Sequence, residues 1–181
     1  KKLTNSNTGT IEKAAGDLVR FELLISNSGN GVAFDPVIAD LLPEGLDDDG
    51  VVATISAEII QGGVGTGVSP IPSVTSVGSA PKTVTWDFVG TSIAPNQQLK
   101  IVYDIRVDAN VGAGLAFQNA ANVATYYSAD LDDEEERHTY DATDVDTEIV
   151  TTPIAGGLLK TVDGTQANIG DTVTYTIQLP I

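Results

Sequence analysis

The chain has 181 residues, with 9 Lys and Arg against 25 Asp and Glu, a formal net charge of −16 and no cysteine. A chain of that length buries a sound hydrophobic core without covalent help, and the missing cysteines exclude disulfides, thiol catalysis and cysteine-ligated zinc or iron–sulfur centres. The negative charge repels phosphate backbones and anionic head groups, which disfavours nucleic acid and membrane surfaces as partners and favours cations.

Despite a pI near 4.1, the chain is unlike disordered acidic sequences, because Val, Ile, Leu and aromatic residues alternate with polar ones and supply a burial pattern. No apolar run reaches bilayer-spanning length, and Lys1 opens no basic-then-apolar leader. Lacking any methionine, the chain is expected to be a mature or internal piece of a longer protein.

In chain order, Leu3 and Ile11 flank a polar, Asn- and Gly-containing stretch and predict a broken first strand or a bulged edge. Val19, Phe21, Leu23 and Ile25 then fall on one face, with Arg20 and Glu22 on the other, which predicts a half-buried strand. Asn27-Ser28-Gly29-Asn30-Gly31 tolerates positive φ and reverses the chain before Val37, Ile38 and Leu41. Residues 51–60 read as a further strand, and residues 61–81 as a loop with room for one edge strand. Val84, Trp86 and Phe88 share a face, as do Leu99, Ile101, Tyr103, Ile105 and Val107, with a turn at Ala94-Pro95-Asn96 between them. Trp86, the single tryptophan, predicts a core anchor. Residues 117–127 and 142–151 close the pattern around a charged hairpin loop over residues 128–140. Helical periodicity is missing, so the fold expected is all-β, an Ig-like Greek-key β-sandwich of seven to nine strands.

Gly16, Asp17, Val19, Phe21, Asn27, Gly29, Ala33, Asp40, Leu42, Pro43, Gly45 and Leu46 together make a pattern. It resembles the conserved-repeat family (domain of unknown function 11) of bacterial and archaeal surface proteins, with Phe21 in place of the usual tyrosine. Asn119, Ala121 and Val123 match the family's Asn-x-Ala-x-Val element. The resemblance implies a structural or adhesive module of a long secreted cell-surface or filament protein. It also implies partners in neighbouring repeats or in other copies of the chain; no catalytic motif stands out among the residues, so no enzyme activity is expected.

Residues 169–177 restate residues 15–23, with Gly170-Asp171 repeating Gly16-Asp17 and Tyr175 standing at the place of Phe21. Fixed-offset self-similarity is the mark of an array. The division expected is a sandwich over residues 1–151, a linker over 152–157, and over 158–181 either the first strands of an incomplete second repeat or a strand donated to another chain.

Ten acids crowd residues 130–148. Calcium takes about six to eight oxygens, and Asp130, Asp132, Asp133, Glu134, Asp141, Asp144 and Asp146 are the candidate ligands for Ca2+. Their spacing is not that of an EF-hand, and the competing reading is a solvated, self-repelling loop. Some surface repeats of related layout form a Lys–Asn isopeptide bond beside a buried acid. Here the constellation is Lys2 or Lys13 with Asn119 or Asn122 and Asp40, against the plainer reading of both asparagines as hydrogen-bonding residues of the family element. His138, the only histidine, reads as an exposed loop residue without a nucleophile beside it. A further reading is a glycan- or protein-binding module, for which Tyr126, Tyr127 and Tyr140 are the aromatic candidates off the apolar faces.

Overall fold

A computed structural model describes residues 2–3, 10–46, 53–69, 74–77, 81–131, 137–141, 145–154, 159–162, 172 and 174–178. In chain order the strands are β1 (Lys2–Leu3), β2 (Thr10–Glu12), β3 (Leu18–Ser26), β4 (Ala33–Leu42), β5 (Ala53–Gln61), β6 (Val64–Gly67), β7 (Val74–Val77), β8 (Lys82–Asp87), β9 (Ser92–Ile93), β10 (Gln98–Arg106), β11 (Ala116–Tyr127), β12 (Thr139–Tyr140), β13 (Asp146–Thr151), β14 (Leu159–Val162) and β15 (Tyr175–Gln178). A five-stranded sheet runs β1-β3-β10-β5-β6. The eight-stranded sheet runs β2-β13-β11-β4-β8-β7, with β12 added on β11 and β9 on β4. Strands adjacent in sequence, such as β3 and β4, fall in different sheets, so the chain crosses between layers as an Ig-like Greek key does.

Alternation builds each layer. In β3, Val19, Phe21 and Leu23 are buried while Leu18, Arg20 and Leu24 are exposed, and in antiparallel register they face Ile105, Tyr103 and Ile101 of β10. In the second sheet Ile38 of β4 stands opposite Trp86 of β8. The two inner faces meet through aromatic rings: Tyr103 stacks on Phe21 at 5.3 Å and lies tilted against Trp86 at 5.0 Å. Trp86 is fully buried, as an anchor should be, and its Nε1–H donates to Thr54 Oγ1 at 2.8 Å, tying β8 of one sheet to β5 of the other. The first segment also serves both layers, since β1 pairs antiparallel with β3 whereas β2 pairs parallel with β13.

The motif residues turn out to close corners. Gly45 has φ +96°, and a Cβ there would lie 2.5 Å from Cε1 of Phe117, so the turn after β4 admits only glycine. Its carbonyl accepts from Asp108 N, and Leu46 N donates to Pro43 O. Asn27 does the same work between β3 and β4: its Nδ2 donates to Gly31 O (2.8 Å) and Ile93 O (2.7 Å), while Oδ1 accepts from Gly29 N. At Gly16, with φ +83°, the backbone N donates to Val107 O.

Two details differ from the sequence expectation. Residues 61–81, expected to hold one edge strand at most, contribute two, β6 and β7; β6 returns from β5 through Gly62 and Gly63, both at positive φ. The sandwich also has more strands than seven to nine, because β1, β2, β6, β7, β9 and β12 are pieces of two to four residues, too short to show a period of two. Beyond the sandwich, β14 and β15 pair in a two-stranded sheet. Val162 stands opposite Tyr175 and Thr161 opposite Thr176, as Leu3 stands opposite Phe21 and Lys2 opposite Glu22.

Candidate functional site

Three polar arrangements stand out, one at the centre of the sandwich and two at one end. At the centre Asp40 of β4, Tyr103 of β10 and Asn119 of β11 are all fully buried. The Tyr103 hydroxyl donates to Asp40 Oδ2 in a short hydrogen bond, and Asn119 Nδ2 lies 3.4 Å from Asp40 Oδ2 and 3.3 Å from the Tyr103 hydroxyl. Burial first, then the adjacent Asp40 carboxylate, pushes the Tyr103 phenol well above its ordinary value near 10. Asn119 Oδ1 is buried with no hydrogen-bond partner among the described residues. Sealed from water on every side, the cluster offers nothing to a dissolved substrate; it fixes how the two sheets register.

The second arrangement lies where β4 and β11 lose register, between Val123 and Thr125 and again between Thr125 and Tyr127. On β4 the irregularity falls at Asp35-Pro36, with Asp35 held at φ +47°, and bulges of this kind re-aim neighbouring side chains. Asp35 is 3% exposed. Its Oδ1 accepts from Gly90 N at 2.6 Å and its Oδ2 from Arg137 Nη1 at 2.8 Å. The same Arg137 nitrogen donates to Ala129 O, and the guanidinium carbon sits 3.5 Å from the Tyr127 ring centroid. Arg137 thus clasps the base of the charged hairpin onto β4.

Beside that clasp is a cleft of about 520 Å3. Its floor includes Ile25, Ile93 and Val123, and its rim Ser28, Tyr126 and Tyr140. Tyr126 and Tyr140 are directly opposed across the β11–β12 pair and stack at 5.4 Å with 23° between the rings. Ser128 N donates to His138 O, and His138 N to Ser128 Oγ, which closes the hairpin below them.

The fold is an Ig-like β-sandwich. It is shared with the C-terminal domain of the AgI/II polypeptide BspA of Streptococcus agalactiae, at TM-score 0.54 and 12% identity over 92% of this chain and 55% of that one. This chain therefore spans about half of that streptococcal fragment. Weaker likenesses are to BcpA, the major pilin subunit of Bacillus cereus (TM-score 0.49, 10% identity, 86% of this chain and 40% of that one), and to the collagen binding subdomain of the Enterococcus faecalis surface protein ACE (TM-score 0.44, 13% identity, 78% and 92%). No protein-family model and no curated protein matches the chain, so the resemblance to the conserved-repeat family rests on its motif residues.

The residues singled out from sequence are distributed unevenly. Asp130, Asp141 and Asp146 are exposed, and the first and last of them accept from the backbone N–H of their own neighbours, Leu131 and Thr147. Asp132, Asp133, Glu134 and Asp144 lie outside the described residues, and among the described residues no three acids or histidines gather as a metal site. Of the cross-link constellation, Asp40 and Asn119 come together, with Tyr103 as the third member of their hydrogen-bonded group. Asn122 has the opposite parity on β11, facing Ala39 in register. Lys13 follows β2, where its backbone N donates to Thr151 O, and Lys2 pairs across from Glu22. His138 is exposed. Sequence reasoning missed Asp35 and Arg137 altogether; an aspartate immediately before a proline inside an apolar strand was the available signal.

Proposed function

We propose that this chain is a structural repeat module of a secreted, cell-surface or filament-forming protein, spacing and bearing load between copies of the same sandwich. The observation that carries the reading is the recurrence of the opening hairpin. Tyr175 and Thr176 occupy the repeat positions of Phe21 and Glu22, and β14 meets them in the pairing that β1 makes with the first pair. A two-stranded hairpin alone is marginal in water, so the second occurrence reads as the start of another unit in an array. Three further features support the proposal. The motif glycines and asparagine close turns, the buried Asp40–Tyr103–Asn119 cluster is inaccessible, and a net charge of −16 keeps neighbouring copies soluble and apart. The Ig-like fold shared with the streptococcal domain, and the conserved-repeat resemblance, point the same way.

Two measurements test it. Antibodies raised against the chain should label intact cells of the producing organism; label that appears only after lysis overturns an exterior location. A chain ending at Ile154 should melt in one transition at the midpoint of the full chain. A large drop would make β14–β15 part of the same folding unit. Concentration-dependent polymers that vanish with the hairpin removed would instead identify strand donation between copies.

A further inference from the structure

The cleft at the bulged end is unexplained by a spacer role. Tyr126 and Tyr140 would stabilise the hairpin as a cross-strand pair wherever they pointed, yet they line a concavity with an apolar floor of Ile25, Ile93 and Val123. Tyr140 is 45% exposed. Among the described residues neither tyrosine hydroxyl nor the Ser28 hydroxyl is engaged in a hydrogen bond. The wall is also held firmly, since Arg137 ties the hairpin base to Asp35, Ala129 O and the Tyr127 ring.

From this we infer that the cleft binds an uncharged pyranose sugar, its apolar C–H face set against the tyrosines and the floor and its hydroxyls meeting those of Tyr126, Tyr140 and Ser28. Four observations select that ligand class. Among the described residues no charged side chain lines the cleft, so an ionic ligand finds no counter-charge among them, and the net charge of −16 repels anionic sugars. The volume of about 520 Å3 falls within the usual range for small-ligand clefts. The adjoining β12 has two residues, already paired to β11, and offers too short an edge to receive a peptide strand. This inference is independent of the tandem-repeat reading and stands or falls on the cleft alone.

Saturation-transfer NMR on the full chain tests it, with cellobiose, lactose and chitobiose as uncharged probes and sialyllactose as the anionic one. At least one uncharged disaccharide should receive saturation on its ring protons, with Kd in the millimolar range. Tyr140→Ala, which changes an exposed residue and should leave the melt near that of the parent, should weaken that probe at least tenfold, and Tyr126→Ala likewise. Tyr140→Phe, keeping the ring and losing one hydroxyl, should weaken it several-fold. No transfer to any of the three probes overturns the inference, as does binding that survives both alanine substitutions or equal binding of sialyllactose. Displacement of the sugar by a proline-rich peptide that binds more tightly would also overturn it and make the cleft a peptide site.

Discussion

At the centre of the sandwich a carboxylate, Asp40, is held by a phenol and an amide where β4 runs in unbroken register with β8. At the open end a second carboxylate on the same strand, Asp35, sits at positive φ in a bulge and is held by a guanidinium and a turn amide. Only a few residues of β4 separate them, yet they answer to different demands. The central cluster is closed by large side chains on both sides, so neutral donors suffice and the cost of a mistake is high, because water cannot replace a lost partner. The outer one is capped by Arg137, whose own side chain is largely buried, and its irregular backbone positions the hairpin that walls the cleft. The sealed cluster belongs to the core, and the cleft proposed to bind a sugar lies at the bulged end.

The comparison is broken most directly by large-to-small substitutions on the two sides. Trp86→Ala should cost about 3–5 kcal/mol in urea unfolding, since it empties a fully buried site and removes the Thr54 bond. Tyr140→Ala should cost less than about 1 kcal/mol, because the ring is half in water. Similar losses at both would show that the cleft belongs to the core. Next in size is Tyr103→Phe, which keeps the aromatic packing and withdraws the hydroxyl from Asp40; unfolding in urea should show a loss of about 1–3 kcal/mol.

Alkaline unfolding sharpens the same point. The Tyr103 phenol titrates higher in the folded chain than when exposed. The unfolded state therefore loses its proton first, binding fewer protons than the folded state above about pH 10. Stability supplied by the neutral phenol is fully present below that pH and is lost as pH rises towards the folded value, at about 1.4 kcal/mol per pH unit. Urea midpoints of the parent should fall between about pH 9 and about pH 11, and Tyr103→Phe should remove that part of the fall. A parent and variant falling in parallel would mean that the phenol is not sealed.

What was legible in the sequence follows the same division. Val19, Phe21 and Leu23, the odd-numbered run from Leu99 to Val107, and Trp86 were all placed correctly on inner faces, since a period of two sustained through a long strand has one reading. Asp40 was brought forward with Asn119 or Asn122, and with Lys2 or Lys13, as a cross-link constellation, but the Tyr103 phenol was not, because it reads as one more apolar-face residue. At the open end the pattern fails. Asp35 and Arg137 lie far apart in the chain, and their meeting depends on two register slips that no local periodicity encodes. The stack of Tyr126 on Tyr140 likewise depends on which residues the hairpin opposes. The acidic stretch had the loudest composition signal, and of its described members Asp130, Asp141 and Asp146 are exposed while Glu148 of β13 is buried.

The smallest effect expected belongs to Arg137. Replacing it with Gln keeps a donor for Asp35 but removes the charge and the flat cation over Tyr127. Because the guanidinium acts at the hairpin base, on the bulged start of β4 and the last residue of β11, global unfolding should shift less than it does on substitution in the core. The change should appear as local opening, with hydrogen exchange at the Ser128 and His138 amides accelerated on the order of tenfold while amides of β3 and β10 keep their protection. If the central amides lose protection in step, the two carboxylates are coupled through β4 and the division between a stable centre and an adaptable end disappears. If only the hairpin responds, β4 carries two independent devices on one strand, and the bulge at Asp35-Pro36 is what insulates them.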